Sequence, residues 1–354
     1  MMDKNMKLAS NSASDNTSRQ RSNDGRKTGS VLVVIPSLNE AEHIAGLIAG
    51  LLTDAGQIDL KIVVADGGSS DGTCEIIEGI MERDKRVVLL NNRMRIAPSV
   101  NDAVAKFGDG AEFLIRIDAH AEYPHQFCAQ LLEIQARTGA DSVVVSMHTI
   151  GRTCFQRAAA AAQNSFLGNG GSLHRNASTG RWVDHGHHAL MRIAAFRAVG
   201  GYDESFIGNE DAELDFRLRA SGFRIYLAAV SIMYHSRGSA KALFRQYFNY
   251  GLGRAMNVLK HRQVPKVRQM LPLAVAPAIC FLLLIPISPL FAVPALLWGA
   301  ICICYGLLLA IRTRDACVAG AGAAAMTMHA GWSFGFFNTL MVGREVSSRT
   351  LIKK

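Results

Sequence analysis

The chain has 354 residues, of which 49% are hydrophobic and 19% charged, with a net charge of +9, enough for one large domain of about 200 to 250 residues plus an appendage. No stretch carries a continuous basic stripe with interleaved aromatics, which argues against nucleic acid; the cations gather beside apolar runs in the C-terminal third, where anionic lipid is the expected partner. Cys74, Cys128, Cys154, Cys280, Cys302, Cys304 and Cys317 lack both the paired spacing of a zinc site and the density of a secreted disulfide framework, so reduced thiols are expected.

Residues 1–28 are rich in Ser, Asn, Asp, Lys and Arg, contain no signal-peptide core, and are expected to form a disordered arm. From Ser30, short Val- and Ile-rich runs alternate with longer amphipathic stretches, the pattern of a mostly parallel sheet with crossover helices. Strands are predicted over 31–35, 60–65, 87–90, 113–117 and 142–145, and helices over 41–54, 73–82, 98–107 and 125–137. Ligands of such open sheets bind beyond the carboxyl ends of the strands, which here carry the polar clusters 36–40, 66–71 and 118–120. After Ala158 the sequence is less regular and rich in Gly, His and Asn, until Asn209 opens a helix that stops at Ser221 and Gly222.

Residues 271–311 form a run of 41 positions without a charge, enough for two transmembrane helices at about 20 residues each, with Pro286, Pro289 and Pro294 at the expected turn. The uncharged run 316–343, which includes His329, Ser333 and Asn338, is a candidate third span. Arg254, Lys260, Arg262, Lys266 and Arg268 before the first span, and Arg312 and Arg314 after the second, place both flanks in the cytosol. Arg344, Arg349, Lys353 and Lys354 favour the same side, so the third segment is either re-entrant or a local exception. The expected organisation is an arm over 1–28, a catalytic domain over 29–262, a membrane region of two to three helices over 263–343 and a basic tail over 344–354.

The run Val33-Val34-Ile35-Pro36-Ser37-Leu38-Asn39-Glu40 ends a strand in a polar turn; alone it requires only a helix start favoured by the macrodipole. Asp66-Gly67-Gly68-Ser69-Ser70-Asp71-Gly72-Thr73 ends the next strand, with glycines that allow close backbone approach but without the G-x-G-x-x-G fingerprint. Together the two segments resemble the N-terminal signature of the family 2 glycosyltransferases, which have the GT-A nucleotide-diphospho-sugar transferase fold. The resemblance extends to about residue 260. It implies that Asp66 contacts uracil and that Pro36, Asn39 and Glu40 line the nucleotide pocket, with Gly67 where many members have a second acid. In Asn91-Asn92-Arg93-Met94-Arg95, it places Arg95 near the base, although a solvated surface arginine explains that residue equally well.

Arg116-Ile117-Asp118-Ala119-His120 stands at the family's Asp-x-Asp position, so the resemblance implies that Asp118 reaches ribose and metal and that His120 replaces the second acidic ligand. Imidazole suits manganese, whereas magnesium favours oxygen ligands, so either ion is the expected cofactor. His187 and His188 lie in Asp184-His185-Gly186-His187-His188, too tightly spaced for a zinc site on a strand, and are read as acceptor-side or structural. Asn209-Glu210-Asp211 resembles the family's Glu-Asp motif; it implies that Asp211 is the general base and that Glu210 faces the acceptor, although acids at a helix start are also ordinary dipole partners. Gln246-Tyr247-Phe248-Asn249-Tyr250 occupies the place of the Gln-x-x-Arg-Trp motif of processive synthases. Gln246 is retained there as an acceptor-side candidate, while Asn249 and Tyr250 replace Arg and Trp, against a polymerase.

The text around Arg116 and Gln246 also looks like the succinoglycan type of exopolysaccharide glucosyltransferases. The function so implied is inverting transfer of one sugar, glucose from UDP-glucose, in β linkage to a polyprenyl-diphosphate oligosaccharide at the inner membrane, alongside exopolysaccharide assembly proteins. Transfer directly to polyprenyl phosphate and a non-catalytic membrane scaffold are the alternative readings.

Overall fold

The computed structural model describes residues 29–171, 179–263 and 270–342. The arm expected over 1–28, the tail over 344–354, and Lys266 and Arg268 lie outside the described residues.

The Val- and Ile-rich runs form strands as expected: β1 (Val31–Ser37), β2 (Leu60–Asp66), β3 (Val87–Asn91), β4 (Phe113–Arg116) and, after the short β5 (Ala121–Glu122), β6 (Ser142–Ile150). Between them lie α1 (Ile44–Asp54), α2 (Thr73–Arg83), α3 (Ile96–Phe107) and α4 (Phe127–Thr138). The less regular half resolves into α5 (Cys154–Asn164), α6 (Phe166–Asn169), β7 (Arg181–Trp182), β8 (His187–Arg192), α7 (Ile193–Ala198), α8 (Glu210–Ala220), β9 (Ile225–His235) and α9 (Ala240–His261).

One sheet runs β3-β2-β1-β4-β8-β6-β9-β5, with β7 paired to β9. The strands β3, β2, β1 and β4 are mutually parallel, whereas β8 is inserted antiparallel between β4 and β6. Side chains alternate across a strand, and β1 shows it: Val31, Val33 and Ile35 pack with Ile44 of α1, Ile77 of α2 and Leu131 of α4. On the other face, Leu32 and Val34 pack with Val100 of α3, Phe196 of α7 and Leu214 of α8. Full burial of each such side chain contributes about 1.5–3 kcal/mol, and both layers hold the strand ends in register, Ser37 beside Asp66.

Beyond α9 the described residues are mostly helical. Leu271–Leu284 is a short apolar helix, and Pro289–Thr313 is long and apolar enough to cross a membrane, with mean hydropathy 2.1. Its 25 residues extend about 37 Å at 1.5 Å each, against about 30 Å of bilayer hydrocarbon. Of the three prolines expected at the turn, Pro286 lies in it and Pro289 closes it, whereas Pro294 lies in the first turn of the α-helical part of the long helix. The two or three spans expected reduce to one helix that meets both criteria among the described residues. The 14 residues of Leu271–Leu284 reach only about 21 Å. Ala321–Val342 lies against α9 and α5, burying Ala325, Met328 and Phe336. Its glycines allow the close approach: a Cβ at Gly335 would sit 2.1 Å from the Phe248 carbonyl oxygen.

One expectation is corrected. Cys154 at the start of α5 is bonded to Cys317, whereas the other five cysteines are free thiols. The partners are 163 residues apart in sequence, so their spacing could not announce the pair; packing of the segment after Thr313 on α5 brings them together, beside an Arg157–Asp315 ion pair of 3.5 Å.

Candidate active site

The turns after β1 and β2 are knitted to each other. Asn39, in the left-handed region at φ 57°, accepts from the Ser70 amide at 2.9 Å through Oδ1, and its own amide donates to Ser69 Oγ at 2.8 Å. The Glu40 amide donates to Thr73 Oγ1 at 2.9 Å. Asp66 is fully buried and takes the amides of Gly68 and Ser69 at 2.7 and 2.9 Å, along with the Ser69 hydroxyl. Burial alone would raise its carboxyl, but these donors outweigh it and hold the group below the usual range. A second acid at Gly67 would be tight: a Cβ there would lie 3.2 Å from the Met94 oxygen and 3.3 Å from that of Ser37. Pro36 is the penultimate residue of β1, paired with Ala65, while Leu38 and Met94, apolar yet exposed, border the Gly67 backbone.

Of the two nearby arginines, Arg93 packs against this turn, its stem 3.6 Å from where a Gly68 Cβ would be and its amide donating to the Asp66 carbonyl at 3.0 Å. Arg95 reaches away and donates to the Glu204 carbonyl at 2.9 Å.

Asp118, just beyond β4, meets residues from three other elements. Arg116 Nη2 lies 3.5 Å from its Oδ1, the Tyr234 hydroxyl donates to its Oδ2, and His187 Nε2 is 3.7 Å from the same oxygen. The antiparallel course of β8 explains the histidine: with Leu114 opposite Met191 and Ile115 opposite Leu190, the start of β8 falls at the carboxyl end of β4. Pairing of Ala121 with Tyr234 brings in the tyrosine in the same way. Burial pushes the Asp118 carboxyl up, but Arg116, His187 and Tyr234 together hold it below its ordinary value.

Arg116 is 5% exposed and bridges the acids, donating to Asp211 Oδ1 at 2.7 Å and lying 3.5 Å from Glu210 Oε1. Asp211 and Glu210 open α8 behind Asn209, a non-glycine residue at φ 67°. Asp211 is ionised far below the usual range: burial opposes this, but His188, Arg116 and His187 prevail. Glu210 moves the other way, raised by burial and by the neighbouring Asp211 charge against the pull of Arg116. Below them, fully buried His188 bonds Asp215 through Nε2 and the Tyr202 hydroxyl through Nδ1, at 2.8 and 2.7 Å.

The sequence-predicted residues are thus brought to one edge, with Arg95 and Gln246 as exceptions. Gln246 Nε2 donates within its own helix to Tyr250 at 3.0 Å. His120, expected as a metal ligand beside Asp118, hydrogen-bonds Glu40 Oε1 through Nδ1 at 3.1 Å. Among the described residues, no group of three or more His, Cys, Asp or Glu side chains could hold a metal ion. An ionised Asp118 with the free Nε2 of His120 is a two-ligand set, which fits a divalent ion completed by diphosphate oxygens and water. Arg116, Tyr202, Asp215 and Tyr234 are given no role by the sequence alone; their neighbours come from the packing of α8 on β4 and β8 and from the pairing of β9 with β5.

A GT-A-like sheet, two interlocked turns, one of them glycine-rich, and paired acids at the carboxyl edge define a nucleotide-sugar glycosyltransferase. The model for Glycosyl transferase family 2 matches residues 32–200. The chain is 51% identical over 322 residues to the Succinoglycan biosynthesis protein ExoA of Rhizobium meliloti (strain 1021), covering 90% of this chain and 98% of that one. It is also 23% identical over 244 residues to a dolichyl N-acetyl-alpha-D-glucosaminyl phosphate 3-beta-D-2,3-diacetamido-2,3-dideoxy-beta-D-glucuronosyltransferase of Methanococcus voltae, over 65% of this chain and 74% of that one. Among solved structures, the mannosyltransferase PcManGT of Pyrobaculum calidifontis, in complex with GDP-Man and Mn2+, superimposes with TM-score 0.56 at 17% identity, over 88% of this chain and 87% of that one, a likeness of fold. The chain belongs to glycosyltransferase family 2.

Proposed function

We propose that the enzyme transfers one glucose from UDP-glucose, with inversion, to a polyprenyl-diphosphate-linked oligosaccharide during exopolysaccharide assembly. The observation that carries this reading is the opposition of Asp118 and Asp211 across Arg116, with His187 3.7 Å from a carboxylate oxygen of each. One acid stands at the turn beside the nucleotide-side cluster and the other at the head of a separate helix, as a single displacement needs.

In that displacement the acceptor hydroxyl gives its proton to Asp211. Its oxygen bonds to C1 of the sugar as the C1–O bond to the diphosphate breaks, and the electron pair leaves with UDP. No protein nucleophile takes part. Asp66 and the apolar rim of Leu38 and Met94 suit the base, with Pro36, Asn39 and Glu40 around the same turns. Asp118 and His120 would hold a divalent ion, which when bound neutralises diphosphate charge. Glu210, His187 and Gln246 belong to the acceptor side of this reading, whereas His188, expected there too, is buried behind Asp211. The apolar helix Pro289–Thr313 would seat the domain on the cytosolic face of the membrane, where a lipid-linked acceptor is presented. The likeness to ExoA, a succinoglycan biosynthesis protein, supports the exopolysaccharide role, and Asn249 and Tyr250 in place of Arg and Trp support addition of a single residue.

The test is product analysis with purified enzyme, labelled UDP-sugars and native membrane lipid. One β-glucose added to a lipid-diphosphate oligosaccharide is expected. Labelled polyprenyl phosphate or a ladder of longer products would contradict the acceptor and the single addition, respectively.

A further inference from the structure

Behind the proposed base lies a second row of buried groups that the displacement does not use. Asp215, one turn along α8 from Asp211, is fully buried. Its Oδ1 meets His188 Nε2 at 2.8 Å; its Oδ2 meets His185 Nδ1 at 2.8 Å and takes the Gly186 amide at 3.2 Å. An ionised carboxylate only accepts hydrogen bonds, so Nε2 of His188 carries hydrogen and the ring is turned with Nδ1 towards the active site. There Nδ1 lies 2.7 Å from the Tyr202 hydroxyl and 3.3 Å from Asp211 Oδ1.

Charge balance says what this row is for. Asp118 and Asp211 share the guanidinium of Arg116, whereas Asp215 pairs with His185 and His188, and buried charges require partners. A cationic His188 supplies one: its Nδ1–H hydrogen-bonds the Tyr202 hydroxyl at 2.7 Å and lies 3.3 Å from Asp211 Oδ1, beside the Arg116 donor. The Arg116 hydrogen bond and the His188 ion pair both fall on Oδ1, whereas the His187 ring approaches Oδ2 only to 3.7 Å through Nδ1, beyond ordinary hydrogen-bond length.

We propose that Asp215 and His188 form a positioning dyad that, with Arg116, clamps Oδ1 of Asp211 and so reserves Oδ2 as the oxygen that accepts the proton of the attacking hydroxyl. This rests on Asp211 being the base. His188 and Asp215 touch no substrate; they act through Asp211 alone, fixing the direction of its free lone pair in the way that second-row partners orient reacting groups.

The experiment is a double-mutant cycle of Asp215→Asn and Asp211→Asn, with UDP-glucose turnover on membrane lipid and UDP binding by calorimetry as readouts. Asp215→Asn should lower kcat about 10- to 100-fold with KM for UDP-glucose within about twofold, and should change the residual rate of Asp211→Asn by less than about twofold, because coupled residues are non-additive. His188→Gln, with UDP binding retained, should repeat the pattern and serves if Asp215→Asn does not fold. Wild-type kcat in either variant, or losses that multiply with that of Asp211→Asn, would overturn the dyad and leave Asp211 as the base. Normal turnover in Asp211→Asn would overturn the base assignment, and the dyad with it.

Discussion

Arg116 and Asp211 meet through a 2.7 Å hydrogen bond between strand β4 and the head of α8, with the guanidinium only 5% exposed. The same guanidinium faces Asp118 and Glu210 at 3.5 Å, so one cation ties the donor-side turn to the helix bearing the proposed base. Replacement by Met removes one partner from a buried cluster, which typically costs about 3–5 kcal/mol because the opposing charges are left uncompensated. Lysine keeps the charge but not the planar fork that serves several acids together. Arg116→Met should lower the melting temperature markedly and Arg116→Lys less so, with turnover down at least about 100-fold in both. Wild-type activity in Arg116→Lys would show that the charge alone suffices.

The buried histidine gives a pH signature. Burial pulls His188 down, but Asp211 and Asp215 prevail and raise it above the ordinary histidine value. Its stabilising contribution is therefore complete below about pH 6.5, the unfolded value, and is lost as pH rises through the folded value. The carboxyls of Asp118, Asp211 and Asp215 are lowered, so their contributions are present above about pH 3.9 and lost as pH falls through their folded values. In nitrogen-labelled histidine spectra, His188 should titrate above free histidine; a ring that titrates below it would contradict the charge assignment.

With Asp118 and His120 as the proposed pair of protein ligands, metal binding would depend on the donor. EDTA should abolish transfer, and manganese should restore it at least as well as magnesium, since His120 supplies nitrogen. Manganese should bind more tightly, by calorimetry, when UDP is present. Full transfer in excess EDTA would remove the ion from the account.

Leu296, Leu297 and Ile311 are 67%, 60% and 75% exposed on the long apolar helix, a surface suited to lipid. The segment after its carboxyl end returns to α5 through Arg157–Asp315 and Cys154–Cys317, so that end and the catalytic domain share one side. Protease added to intact spheroplasts should leave the residues before Leu271 uncut, whereas inverted vesicles should lose them. The reverse pattern would overturn the orientation.

Much of the front of the site was legible because it is local in sequence. The turns after β1 and β2 follow uninterrupted apolar runs and that after β4 follows one broken only by Arg116, and Asp66, Asp118 and Asp211 could be placed from the runs and the family resemblance. What escaped depends on pairing between distant segments. His187 reaches Asp118 only because β8 runs antiparallel beside β4, and Tyr234 only because β9 pairs with β5. Spacing cannot tell which arginine of Arg93-Met94-Arg95 packs on Gly68 and which turns to Glu204. The uncharged C-terminal runs were read as spans by length, but the glycines of Ala321–Val342 serve close packing on α9.

Asp211 at the head of α8 is the residue on which the account turns, and its replacement by Asn keeps size and shape while removing the proton acceptor. The decisive measurement is single-turnover transfer from UDP-glucose by Asp211→Asn, with UDP affinity measured in parallel by calorimetry. Transfer should fall by about 10³-fold or more, with UDP binding unchanged. Near-normal transfer, or a loss explained wholly by weaker UDP binding, would contradict the assignment of Asp211 as the base.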